Sequence, residues 1–146
     1  MSAGSTGKLY TPQLLALATQ LAVFPLDREF QLTASLRSRS CGSTLSLGLD
    51  LDQDGRICAI GMKVSACAVG QASATVMAQS MMGQSVSCIM AATDEIDTWL
   101  AGKGNLPELS GFAVLEAAQP YHGRHEALLL PWKAACDALS NAHGAS

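Results

Sequence analysis

Two cysteines sit where a thiol can do chemistry. One lies in Ser40-Cys41-Gly42-Ser43, the other in Ser65-Ala66-Cys67-Ala68-Val69. Cys41 falls just ahead of a predicted strand, and Cys67 where a strand pattern gives way to a helical one. Small neighbours leave a sulfur approachable, and a helix N-terminus favours the thiolate. Such a pair suits metal ligation or attack on another sulfur. Taken alone, two cysteines 26 residues apart also fit two core positions. No Cys-x-x-Cys occurs, so a standard structural zinc site is unsupported. No nucleophile elbow, phosphate loop or dinucleotide glycine motif is present either.

The other chemistry-bearing residues read more plainly. Cys58 falls on the apolar side of a strand pattern, Cys88 beside Ile89 and Met90, and Cys136 beside Ala135, so each is expected to be a small buried hydrophobe. His122 and His125 flank Arg124 near the start of the last helix; they read as surface histidines or as neighbours of the cysteine pair. Asp50-Leu51-Asp52-Gln53-Asp54-Gly55 imitates the start of a calcium loop. Its twelfth position, however, is Gly61 rather than a bidentate glutamate, and its flanks are strand-like. A hairpin turn is expected there.

The elements that must position these residues follow from periodicity. Thr11-Pro12 starts a helix whose apolar stripe ends near Pro25. Three alternating runs predict strands: Phe30, Leu32, Ala34 and Leu36; Leu45, Leu47, Leu49 and Leu51; Cys58, Ile60, Met62 and Val64. From Ala68 to Met82 the pattern is helical and Gly83 closes it. Thr93 is expected to cap a short helix, Phe112–Ala118 to form another, and Arg124–Asn141 a last one kinked or split at Pro131. Strands first and helices after point to an α+β fold, a three-stranded antiparallel sheet with helices on one face.

The 146 residues suit one domain: residues 1–8 as a disordered lead, 9–141 as the domain and 142–146 as a tail. Hydrophobic residues make up 49%, enough for a core without disulfides. Charged residues are only 14%, so some surface is expected to be covered by a partner. The net charge of −3 argues against nucleic acid, and the apolar runs are too short to span a bilayer. No signal peptide is evident, and five cysteines, an odd number, point to a reducing cytoplasm.

Several segments together resemble a known family. They are Cys41-Gly42, then Ala66-Cys67-Ala68-Val69-Gly70-Gln71-Ala72-Ser73-Ala74, then Gly83-Gln84, then Arg124 with Leu130-Pro131-Trp132-Lys133-Ala134. This order resembles the NifU/IscU/SufU iron–sulfur scaffold family from Leu9 to Leu139, and the implied fold is SufE/NifU-like. The resemblance implies that Cys41 and Cys67 accept persulfide sulfur and iron. The cargo would be a transient iron–sulfur cluster, or zinc. Ser43 stands at the family's aspartate position and Ala127 at its third cysteine, so Ser43, His125, Glu126 or a ligand from a second subunit are the candidates to complete the set. A cysteine desulfurase and iron–sulfur acceptor proteins are the implied partners, and a homo-oligomer is allowed. The implied role is a scaffold or carrier rather than a turnover enzyme. The alternative is a divergent paralogue that keeps the fold as a binding or regulatory module without cluster assembly.

Overall fold

A computed structural model describes residues 9–39 and 42–145, with 141–145 in backbone only. The expected N-terminal lead and Cys41 lie outside the described residues. Three strands, β1 (Leu32–Arg37), β2 (Thr44–Leu51) and β3 (Ile57–Ser65), form one antiparallel sheet in the order β1-β2-β3. The register builds apolar rungs: Leu36–Leu45–Val64, Ala34–Leu47–Met62 and Leu32–Leu49–Ile60. Period-two alternation turns all of these toward the helices, and Leu45, Leu47 and Leu49 at the centre are fully buried. The calcium-loop imitation is a turn: the Asp52 carboxylate accepts the backbone N–H groups of Asp54 at 2.9 Å and Arg56 at 3.0 Å.

Two strand expectations need correction. Phe30 is not on the buried stripe. Asp50 accepts the Gln31 N–H at 2.8 Å and Gln31 accepts the Leu51 N–H at 3.1 Å, so side chains replace the ladder and β1 begins only at Leu32. The chain folds over the outer face, where the Phe30 ring fills the space above the paired Gly48 and Gly61. Cys58 is likewise exposed rather than buried. A bulge opposite Asp50 and Leu51 pairs those residues with Ala59 and Ile57, leaving Cys58 as the extra residue and turning Ile57 inward.

The helices are α1 (Pro12–Gln20), α2 (Ala68–Met81), α3 (Val86–Leu100) and α4 (His125–Ala145), with short 3-10 segments at Leu21–Val23, Phe112–Ala118 and His122–Arg124. Thr11 caps α1 by accepting the Leu14 N–H at 3.1 Å. Helix α4 lies across β1 and β2, α1 packs on α2, and α3 packs on α4. The expected cap at Thr93 is wrong. Its hydroxyl donates to the Ile89 carbonyl at 2.8 Å inside α3, and Ser85 is the cap residue. The last helix runs past Asn141 to Ala145. Pro131 neither splits nor ends it. A proline has no N–H, so it offers no donor to the carbonyl of Ala127 one turn back.

A buried joint locks α2 to α4. The Ser73 hydroxyl donates to the Leu128 carbonyl at 2.6 Å and accepts the Trp132 indole N–H at 3.0 Å. Ser73, Leu128 and Trp132 are all fully buried. Around them Phe112 meets Trp99 and Trp132 edge-on, with ring centres 5.4 and 6.3 Å apart. Among the described residues no helix is long and apolar enough to cross a membrane.

Candidate functional site at the thiol end of the sheet

Antiparallel pairing of Thr44 with Ser65 brings the start of β2 beside the end of β3. Cys67 follows β3 and is the cap residue of α2, with extended backbone and no side-chain capping bond. The first-turn amides of α2 therefore have no side-chain acceptor at the cap, and the positive end of the helix faces the surroundings of the sulfur. Cys67 is half-buried and borders a cleft of about 330 Å³ lined by Gly42, Ser43, Ser65, Ala66, Gly123 and Arg124. The Gln71 side chain donates to the Ala66 carbonyl at 3.0 Å and holds the cleft wall.

Bonds between Ser38 and Ser43 help to close the loop before β2. The Ser38 N–H donates to the Ser43 carbonyl at 2.8 Å, and the Ser43 N–H to the Ser38 hydroxyl at 3.0 Å. Gly42 adopts φ +72°, a left-handed conformation that a side chain disfavours, and lines the cleft directly after Cys41. Cys41 itself is outside the described residues.

The start of α4 packs against the helix that Cys67 caps, without lining the cleft. A Cβ at Gly70, one turn into α2, would meet the Ala66 methyl at 2.9 Å and both the Ala127 methyl and the Ala127 carbonyl at 3.3 Å. Ala127 is thus sealed against the helix that Cys67 begins, at 1% exposure. Ser43 lines the cleft but is itself buried. Glu126 does not line it: its carboxylate accepts the Arg39 N–H at 2.9 Å in a neighbouring cleft. His125 does not line it either; its Nε2 donates to the Gln119 carbonyl at 2.7 Å and its ring lies 4.8 Å from that of His122. Among the described residues no group of three His, Cys, Asp or Glu is placed to hold a metal ion.

Sequence reasoning passed over Arg124 and Gly123 as cleft residues, although Arg124 belonged to the motif that carried the resemblance. It also misplaced Cys88. That thiol is exposed in the first turn of α3, where the Ser85 hydroxyl donates to its sulfur at 3.4 Å and the Ser85 carbonyl accepts its backbone N–H. Hydrogen bonding from Ser85, with a smaller contribution from Arg56, lowers the Cys88 pKa below the ordinary thiol value. The signal was legible as Ser85-Val86-Ser87-Cys88, a cap residue followed by a first turn. Cys136 is half-buried against the Thr93 hydroxyl at 3.3 Å, and burial raises its pKa. A larger cleft of about 520 Å³, lined by Asp94, Glu95 and Glu108 among others, lies between α3 and the following loop and contains no thiol.

A small antiparallel sheet, covered by helices on one face and delivering a cysteine to a helix start beside a glycine-bearing loop, defines a class of thiol-presenting α+β domains. The chain matches the NifU-like N terminal domain over residues 24–127 and belongs to that family. It is similar to the N-terminal part of a nitrogen-fixing NifU-like protein from Brucella abortus, with TM-score 0.87 and 29% identity over 97% of this chain and 99% of that one. A candidate iron–sulfur cluster assembly scaffold for the SUF system from Fervidobacterium islandicum AW-1 shares the fold, with TM-score 0.81 and 20% identity over 90% of this chain and 96% of that one. No curated protein matches the chain by sequence.

Proposed function

We propose that the protein is a scaffold or sulfur and iron carrier in iron–sulfur cluster assembly, working in the cytoplasm with a cysteine desulfurase as donor. The observation that carries this reading is Cys67 at the start of α2, opening on a cleft shared with Gly42 and Arg124, in a chain of the NifU-like family. The Cys67 thiolate attacks the outer sulfur of a donor persulfide. A bond forms between Sγ and that sulfur, the donor's sulfur–sulfur bond breaks, and the electron pair leaves on the donor's inner sulfur as a thiolate. No net oxidation occurs. Iron is then cargo for Cys67 and Cys41, both soft anionic donors. On this reading Ser43, which lines the cleft, is the preferred supplementary donor, ahead of Glu126 and His125, which do not line it. With no third anionic ligand placed at the cleft among the described residues, the reading is labile carriage rather than long retention.

The test is incubation of the full chain with a cysteine desulfurase and cysteine, followed by mass spectrometry of the cysteine peptides. Added sulfur on Cys67, lost in Cys67→Ser, is expected. No uptake with both Cys41 and Cys67 intact would favour the second reading, a paralogue that keeps the fold as a binding module. That reading draws on the sealing of Ala127 against Gly70, which puts a methyl at the position where the resemblance implies a third cysteine.

A further inference from the structure

A second cleft, of about 250 Å³, is joined to the thiol cleft through the bonded pair Ser38 and Ser43. It is lined by Arg37 and Arg39 at the end of β1, Lys133 on α4, Glu126, Ser38 and Leu130. Three of the nine lysines and arginines of the chain converge here, in a protein whose net charge is −3. All three side chains are exposed, and none forms a salt bridge with a described residue. Arg28, by contrast, pairs with Asp50 at 2.9 Å. Two acids are close by. Glu126 turns an oxygen to the Arg39 N–H, and Asp137 follows Lys133 by one turn of α4 without bridging to it. The cleft therefore keeps a positive excess, over a floor formed by the buried Leu130.

We infer that this cleft docks a short acidic segment of a protein partner. Charge complementarity selects an anion. The apolar floor selects one that brings an aliphatic side chain between its carboxylates. The net negative charge of the whole molecule repels a long polyanion, whereas a short segment feels mainly the field within a Debye length. Ser38 walls this cleft and Ser43 walls the thiol cleft, and the two are tied by the 2.8 and 3.0 Å bonds of the closed loop. A segment held here is linked to the cleft at Cys67 through that closed loop. Its identity as part of the sulfur donor or acceptor rests on the function proposed above; its chemistry does not.

The probe is a fluorescein-labelled peptide of alternating glutamate and leucine, titrated with the full chain and followed by fluorescence anisotropy. Binding that weakens as salt rises is expected. Arg37→Glu with Lys133→Glu should weaken it by roughly threefold to tenfold for each charge reversed. These positions are exposed, and circular dichroism checks that the variant folds. Asp94→Lys with Glu95→Lys, in the acidic cleft beside α3, should not weaken peptide binding. Peptide affinity unchanged in the Arg37/Lys133 variant would overturn the inference. So would inorganic phosphate binding as tightly as the peptide, which would make this a small-anion site. Self-association abolished by both variants would make a second copy the occupant and overturn it too. Charge-dependent peptide binding without sulfur uptake on Cys67 would count against the proposed function alone.

Discussion

Replacing Ser73 with alanine breaks the joint between α2 and α4. The hydroxyl serves two fully buried partners, the Leu128 carbonyl at 2.6 Å and the Trp132 indole N–H at 3.0 Å. Removing it costs each partner about 1–3 kcal/mol of unmet hydrogen bonding, and the better helix propensity of alanine returns about 0.5 kcal/mol. The net loss is roughly 1.5–5.5 kcal/mol, which for a domain of this size lowers Tm by roughly 3–20 °C. Urea unfolding followed by circular dichroism measures it. A cycle with Trp132→Phe should show coupling of about 1 kcal/mol or more, because the indole N–H and the hydroxyl serve one another. Since the Ser73 bond holds Leu128, next to Ala127, the native variant should also label faster at Cys67. A loss under about 0.5 kcal/mol, or strict additivity in the cycle, would refute the reasoning.

Cys88 should react first with a limiting thiol reagent at neutral pH, because hydrogen bonding from Ser85 lowers its pKa and so places its thiolate onset at lower pH than for a free cysteine. Peptide mapping reads the order; Ser85→Ala should slow Cys88, and labelling of Cys136 ahead of it would contradict the assignment. Gly70→Ala should destabilise by about 1–2 kcal/mol in thermal melts, since its methyl meets Ala66 at 2.9 Å and this outweighs the helix gain. A more stable variant would show that the contact is slack. Ser43→Asp with Ala127→Cys should tighten iron or zinc retention against a chelator by at least tenfold, and unchanged retention would count against the correspondence of these positions.

The fold was legible because its cues repeat. Leu45, Leu47 and Leu49 alternate without interruption, and the apolar rungs they form with β1 and β3 keep that period. Thr11-Pro12 and Gly83 marked helix ends by local geometry alone. What failed did so through contacts between segments distant in sequence. Phe30 left its stripe because Asp50 and a glycine pair on other strands received it, and Cys58 was turned outward by a bulge that pattern counting cannot register. At the candidate site, Cys67 was readable from the change of period, and Arg124 only from its motif. The partners of Glu126 and His125 were not readable, since a loop carbonyl and a backbone N–H leave no trace in residue type.

The placement of α2 also sets what oxidation can do. Cys67 begins the helix, and Cys88 follows its far end, where the Gln84 carbonyl is tied to the Ile57 N–H at the start of β3. Fourteen residues of helix separate those ends by about 21 Å, whereas a disulfide requires Cα atoms within about 7 Å. The two thiols cannot close a loop within one molecule. Air oxidation at the exposed Cys88 is therefore expected to give a dimer rather than a bridge to Cys67, with the Cys67 thiol still free to label.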